Sequence, residues 1–246
     1  MIGDIAASDM ERAVDDVSEG GRFVFTRAQL LYELERAGLL PAAGDPVSAR
    51  SELIAELGRW EERHQPIPGM VRPEQLPTHA DLSAIPADVS EYSVPRALVF
   101  ADRELCQAFV LNGFHRKIEV APVTVGYPDH VWSALLRQVN SGFETRFLLV
   151  RDASAAGYGL ADQVQQALPP EGAEIVDLGM TLSWGFRLRL SLRRGAAQKF
   201  GENVPQRDRS LLAKGCYLEL SALAAGPLLR WVYEMIGDQA EDAGFG

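Results

Sequence analysis

A chain of 246 residues is long enough to bury a sizeable core, as one large domain or two small ones. Hydrophobic residues make up 47% and charged residues 24%, an ordinary globular balance, and a net charge of −10 excludes a uniformly basic nucleic-acid coat. The acidic opening MIGDIAASDMERAVDD lacks the apolar core of a signal peptide, and no run reaches the ~18 apolar residues of a membrane helix.

Asp9 to Glu19 predicts a short first helix. RFVFTRAQLLYELERAGLL predicts a second, with Thr26 as N-cap, Leu30, Leu31, Leu34 and Ala37 at helical spacing, and Gly38 as C-cap. DPVSARSELIAELGRWEERHQ predicts a third, with Asp45 at the N-cap, Pro46 at the first helical position, and Leu53, Ile54, Leu57 and Trp60 on one face. Residues 1–63 therefore read as a small helical module. Pro66, Pro68, Pro73, Pro77, Pro86 and Pro95 then forbid regular helix, making residues 64–95 an extended connector.

After Pro95 the pattern alternates. RALVFA, KIEVAPVTV, TRFLLVRD and AEIVDLG read as strands, separated by the helices DRELCQAFVLNGF, PDHVWSALLRQVNSG and ASAAGYGLADQVQQAL. Apolar strands divided by single helices specify an α/β domain over residues 96–180, a parallel sheet with helices on both faces and right-handed crossovers. Residues 181–246 read as a basic segment and a C-terminal helical part that complete the domain. There YLELSAL is a strand or a helix start, and GPLLRWVYEMIGD is an amphipathic helix.

Ligands of open parallel sheets bind beyond the carboxyl ends of the strands. The residues there are Asp102-Arg103-Glu104, Gly126-Tyr127-Pro128-Asp129, Asp152 to Gly157, and Asp177. Several carboxylates on one edge suit a hard divalent cation.

The acid at Asp102 after the first strand and the D-x-S-x-x-G from Asp152 to Gly157 resemble the Toprim domain of topoisomerases, primases and several nucleases. RFVFTRAQLLYEL resembles the winged-helix-like DNA-binding element that precedes Toprim in the topoisomerase VI A subunit class. VLNGFH, VGYP and CYLELSAL resemble bacterial Toprim-like proteins of similar length. The resemblance implies catalytic roles for Asp102, Glu104 and Asp152, with Mg²⁺ held by Asp152 and Asp102. The sequence departs from the family at two points. Asp102 stands where Glu is usual, with Glu104 as a nearby substitute, and Ser154 replaces the second acid of D-x-D. Losing that carboxylate weakens Mg²⁺ binding unless Glu104, Asp129 or Asp177 supplies another.

Other motifs carry less. Gly157-Tyr158-Gly159 lacks the last glycine and the following acid of a dinucleotide fingerprint, so no nucleotide cofactor is expected and the glycines read as helix–strand packing. His64, His79, His115 and His130 lack zinc-ligand spacing, and His115 reads as a cap or surface residue. Cys106 and Cys216 read as buried thiols of a reducing compartment, with a disulfide between them left open.

Between Thr181 and Gly215, Arg187, Arg189, Arg193, Arg194, Lys199, Arg207, Arg209 and Lys214 face only Glu202 and Asp208. The first five, interleaved with Trp184, Phe186 and Phe200, are candidate DNA or partner contacts; the bland alternative is a solvated face anchored by its aromatics. The sequence thus leads to a cytoplasmic, non-catalytic Toprim-like subunit of a bacterial DNA-transaction or genome-defence complex, contacting a protein partner and DNA but no membrane. The alternative is a Mg²⁺-dependent Toprim nuclease with an atypical acid set.

Overall fold

The computed structural model of the chain describes residues 2–41, 46–72, 94–169, 173–197, 199–201 and 203–242. The predicted N-cap Asp45 and most of the proline-rich connector, residues 73–93, lie outside them. The chain divides into two compact units that interleave along the sequence. One comprises Met1–Val71, Ala153–Ala155 and Thr181–Leu228; the other comprises Arg72–Asp152, Ala156–Met180 and Leu229–Gly246. The N-terminal helices thus share a unit with the basic segment Thr181–Gly215.

The second unit carries the parallel sheet. Strands β1 (Arg96–Phe100), β2 (Ala121–Val123), β3 (Thr145–Val150) and β4 (Ala173–Asp177) lie in the order β2-β1-β3-β4, each parallel to its neighbour. The connecting helices are α4 (Arg103–Leu111), α5 (Phe114–Ile118), α6 (Asp129–Asn140), α7 (Ala155–Tyr158) and α8 (Leu160–Ala167). Alternation within each strand divides the core. Ala97, Val99, Ala121, Val123, Phe147 and Leu149 share one buried cluster with residues of α6 and α8. Phe100, of opposite parity, instead meets Phe109 of α4 with ring centroids 5.3 Å apart. Helices therefore cover both faces, as continuous apolar strands require.

The second strand is much shorter than KIEVAPVTV suggests. Lys117 and Ile118 end α5, and Glu119 takes a left-handed conformation at φ 51° as its C-cap. The remaining β propensity serves three residues, one of them Pro122, which has no amide hydrogen for the ladder.

In the first unit, α1 (Ala7–Ser18), α2 (Arg27–Arg36) and α3 (Pro46–Arg63) share a core that includes Met10, Val17, Leu30, Leu34, Leu57 and Trp60. Thr26 caps α2 as predicted: its hydroxyl accepts from the Gln29 amide while the Gln29 side chain accepts from the Thr26 amide. The start of the connector packs here too, with His64 stacked on Trp60 at 4.2 Å and Met70 bridged to Phe25. Residues 181–228 supply α9 (Leu182–Arg187), α10 (Gln206–Leu212) and a 3-10 turn at Leu220–Ala222. They also form an antiparallel pair of β5 (Arg193–Arg194) and β6 (Cys216–Tyr217), the latter entering the start of YLELSAL, where a strand or a helix start is expected. Helix α11 (Ala225–Asp242) follows. No helix among the described residues is long and apolar enough to cross a membrane.

Candidate functional site

The order β2-β1-β3-β4 reverses direction between β1 and β3, so the carboxyl ends of these two strands mark the topological switch point, where open sheets hold ligands. Phe100 and Val150 are register partners, and the Ala101 amide donates to the Val150 carbonyl at 3.2 Å. Asp102 and Asp152 each lie two residues beyond that shared rung. They leave neighbouring strands, whose usual spacing is about 4.8 Å.

The two acids have different local duties. Asp102 is the N-cap of α4: its Oδ1 accepts from the amides of Glu104 at 2.7 Å and Leu105 at 3.1 Å. Such a cap satisfies helix-terminal donors and contributes about 1 kcal/mol. Asp152 is half-buried, and its carbonyl accepts from Arg151 Nη1 at 3.1 Å. Gly157 fits against that same carbonyl; a Cβ at Gly157 would stand 2.3 Å from it. The glycine of D-x-S-x-x-G is thus required by close approach of α7 to the strand end.

Arg151 dominates this edge. Its side chain is 4% exposed and donates from Nε at 3.1 Å and Nη2 at 2.5 Å to Asp177 Oδ2. Nη1 also reaches the Met180 carbonyl at 3.1 Å, and the guanidinium lies 3.7 Å over the Tyr158 ring. Gly179 admits the side chain, since a Cβ there would meet Arg151 Cγ at 2.2 Å. Asp177, a candidate spare acid for a cation, is therefore neutralised by a buried arginine.

Glu104 is half-buried in the first turn of α4, Ser154 is half-buried before α7, and Asp129 is exposed at the start of α6. No group of three His, Cys, Asp or Glu side chains able to hold a metal comes together among the described residues. Cys106 and Cys216 are free and buried. Burial, reinforced by the Asp102 charge, pushes the Cys106 thiol well above the ordinary range, which makes it unreactive. His115 is buried rather than surface-facing.

The basic segment belongs to the first unit, and its five cations separate into two kinds. Arg187, Arg189, Arg194 and Lys199 are exposed. Arg193 is not: its side chain is 9% exposed, 2.9 Å from Glu35 Oε1 and 3.0 Å from the Tyr32 hydroxyl, with its guanidinium 4.2 Å over the Tyr32 ring. That hydroxyl donates onward to Glu219 Oε2 at 3.1 Å. Arg193 therefore ties β5 to α2 and leaves the set of surface contacts. Around the end of α9, Phe186 and Leu188 are 55% and 43% exposed, and Arg187 lies 5.5 Å over the Trp184 ring.

Arg151, Tyr158, Tyr32 and Glu35 were not singled out by sequence. Arg151 alone carried a signal, a charged residue directly after the apolar strand TRFLLV. Comparison of the chain with protein-family models, with curated proteins and with solved structures finds no match.

Proposed function

We propose that the chain is a non-catalytic, Toprim-like subunit of a bacterial-type DNA-transaction or genome-defence complex, docking a protein partner and contacting DNA. The observation that supports it most is the buried Arg151 beside Asp152, paired with Asp177. A working Mg²⁺ centre gathers several oxygen ligands with net negative charge. Here Ser154 stands for one acid, Arg151 cancels Asp177, and one Asp102 oxygen caps α4. What remains serves to hold α4 and α7 against the sheet. The N-terminal helices, with a capping box on α2, are compatible with a winged-helix-like element.

The test is calorimetric titration of Mg²⁺ or Mn²⁺ into the wild type and Asp152→Ala. The expected result is no saturable heat at millimolar metal in either protein. Saturable binding that disappears in Asp152→Ala would overturn the proposal.

One observation favours a second reading, a Mg²⁺-dependent Toprim nuclease using Asp102, Glu104 and Asp152. Asp102 and Asp152 leave the sheet from one rung at the switch point. That reading requires metal-dependent nicking of supercoiled DNA that is lost in Asp152→Ala.

A further inference from the structure

From Leu178 to Gly201 the sequence has five cations and no carboxylate, in a chain of net charge −10. Four of the five cations are exposed, and the fifth, Arg193, is paired internally. The end of α9 sets Phe186, Arg187, Leu188 and Arg189 in succession, all exposed. Charges beyond about 10 Å are largely screened at ordinary ionic strength, so an approaching ligand meets nearby charges more than the total. The carboxylates bonded to this segment, Glu35 on Arg193 and Asp208 on the Leu182 amide, are both buried.

The turn that presents these residues is held in place. Thr181 caps α9 through the Trp184 amide at 3.2 Å, and buried Asp208 accepts from the Leu182 amide at 2.9 Å. At the other end the Leu190 amide donates to the Gly185 carbonyl at 2.9 Å and the Arg189 amide to the Phe186 carbonyl at 3.2 Å. This pair of bonds is a Schellman motif, whose left-handed position is usually glycine. Here it is Arg189, at φ 56°. A non-glycine residue in that conformation is strained, and strain of this kind clusters where a side chain is used.

We propose that the α9 tip is a binding site for single-stranded nucleic acid, with the Phe186 ring stacking on a base and Arg187 and Arg189 meeting phosphates. An exposed ring beside arginines, in a stretch free of carboxylates, complements a polyanion whose π-faces are accessible. Duplex hides those faces, and an acidic protein segment offers charge without them. This inference rests on the reading of the chain as part of a DNA-transaction complex and names the strand it contacts.

The experiment is fluorescence anisotropy of the full chain with a fluorescein-labelled oligothymidylate of about 15 nucleotides at ~50 mM salt, with duplex of equal length and polyglutamate as competitors. Expected are saturable binding, weaker competition by duplex, and little by polyglutamate. Phe186→Ala weakens binding roughly 5- to 150-fold, the range of one lost base stack. Arg187→Gln with Arg189→Gln lowers the slope of log affinity against log salt by about 1.4. Arg189→Gly raises Tm while weakening binding, which separates a contact from a folding role. No binding at ~50 mM salt, a silent Phe186→Ala, or equal competition by duplex or polyglutamate would each overturn the site. None of these outcomes bears on the metal titration, so the site and the non-catalytic reading fail separately.

Discussion

The Arg151 guanidinium donates to Asp177 through two nitrogens, Nε at 3.1 Å and Nη2 at 2.5 Å, and both bonds end on one oxygen, Oδ2. The partners are unequal: Arg151 is 4% exposed and Asp177 is 44% exposed. Removing the carboxylate strands a buried cation, whereas removing the arginine leaves an acid that water can solvate. Asp177→Ala should therefore cost about 3–5 kcal/mol, the usual range for an orphaned buried charge. Arg151→Met should cost less, about 1–3 kcal/mol for the unmade bonds to the Met180 and Asp152 carbonyls. Urea unfolding of the two variants gives the order, and a costlier Arg151→Met would contradict it.

Asp102 supports α4 whether or not it ever meets a metal. Asp102→Ala should lose about 1 kcal/mol of stability, and Asp102→Asn or Asp102→Ser should restore most of it by supplying the same cap acceptor. Chemical denaturation of the three variants is the measurement. A loss in Asp102→Ala that neither polar replacement repairs would mean that the carboxylate charge matters beyond the cap.

How far the sequence foretold this arrangement depended on the period of the signal. The four strands and their alternation with helices were legible because continuous apolar runs such as ALVF and FLLV have few other uses. Thr26 and the Leu57–Trp60 face were legible because caps and helical spacing are local. Pairing across the chain was not legible. Nothing near Arg193 announces Glu35, 158 residues away, or Tyr32, 161 residues away, and so Arg193 read as one surface cation among five. The acids at the strand ends were placed on the right edge by topology. That Asp177 is claimed by Arg151 depends on Gly179 making room, a matter of packing that residue spacing cannot convey.

The Arg193–Glu35 pair is buried on both sides, with side-chain exposures of 9% and 6%. Glu35 Oε2 has no hydrogen-bond partner in addition, so removing Arg193 leaves a buried carboxylate with little to hold it. Arg193→Met should destabilise by about 3–5 kcal/mol, and Arg193→Met with Glu35→Met should recover much of the loss. A double-mutant cycle by thermal and urea unfolding measures the coupling. If Arg193→Met is as stable as the wild type, the pair does not tie β5 to α2.

His115 makes stability depend on pH. Its ring is buried on α5, and Nδ1 has no hydrogen-bond partner. Burial, with the Arg116 charge beside it, holds its pKa below the ordinary histidine value. The unfolded chain protonates this residue near pH 6.5, above the folded value. Well above that pH both states are neutral there, and the residue's contribution to stability is constant. As the pH falls through about 6.5 the unfolded state takes up the proton first, so stability declines until the folded pKa is reached. Unfolding of wild type and His115→Gln between roughly pH 5 and 8 isolates this residue from the other histidines. The wild type should lose more stability than the variant toward the acid end. Parallel curves would mean that His115 is as accessible to protons in the folded protein as in the unfolded chain.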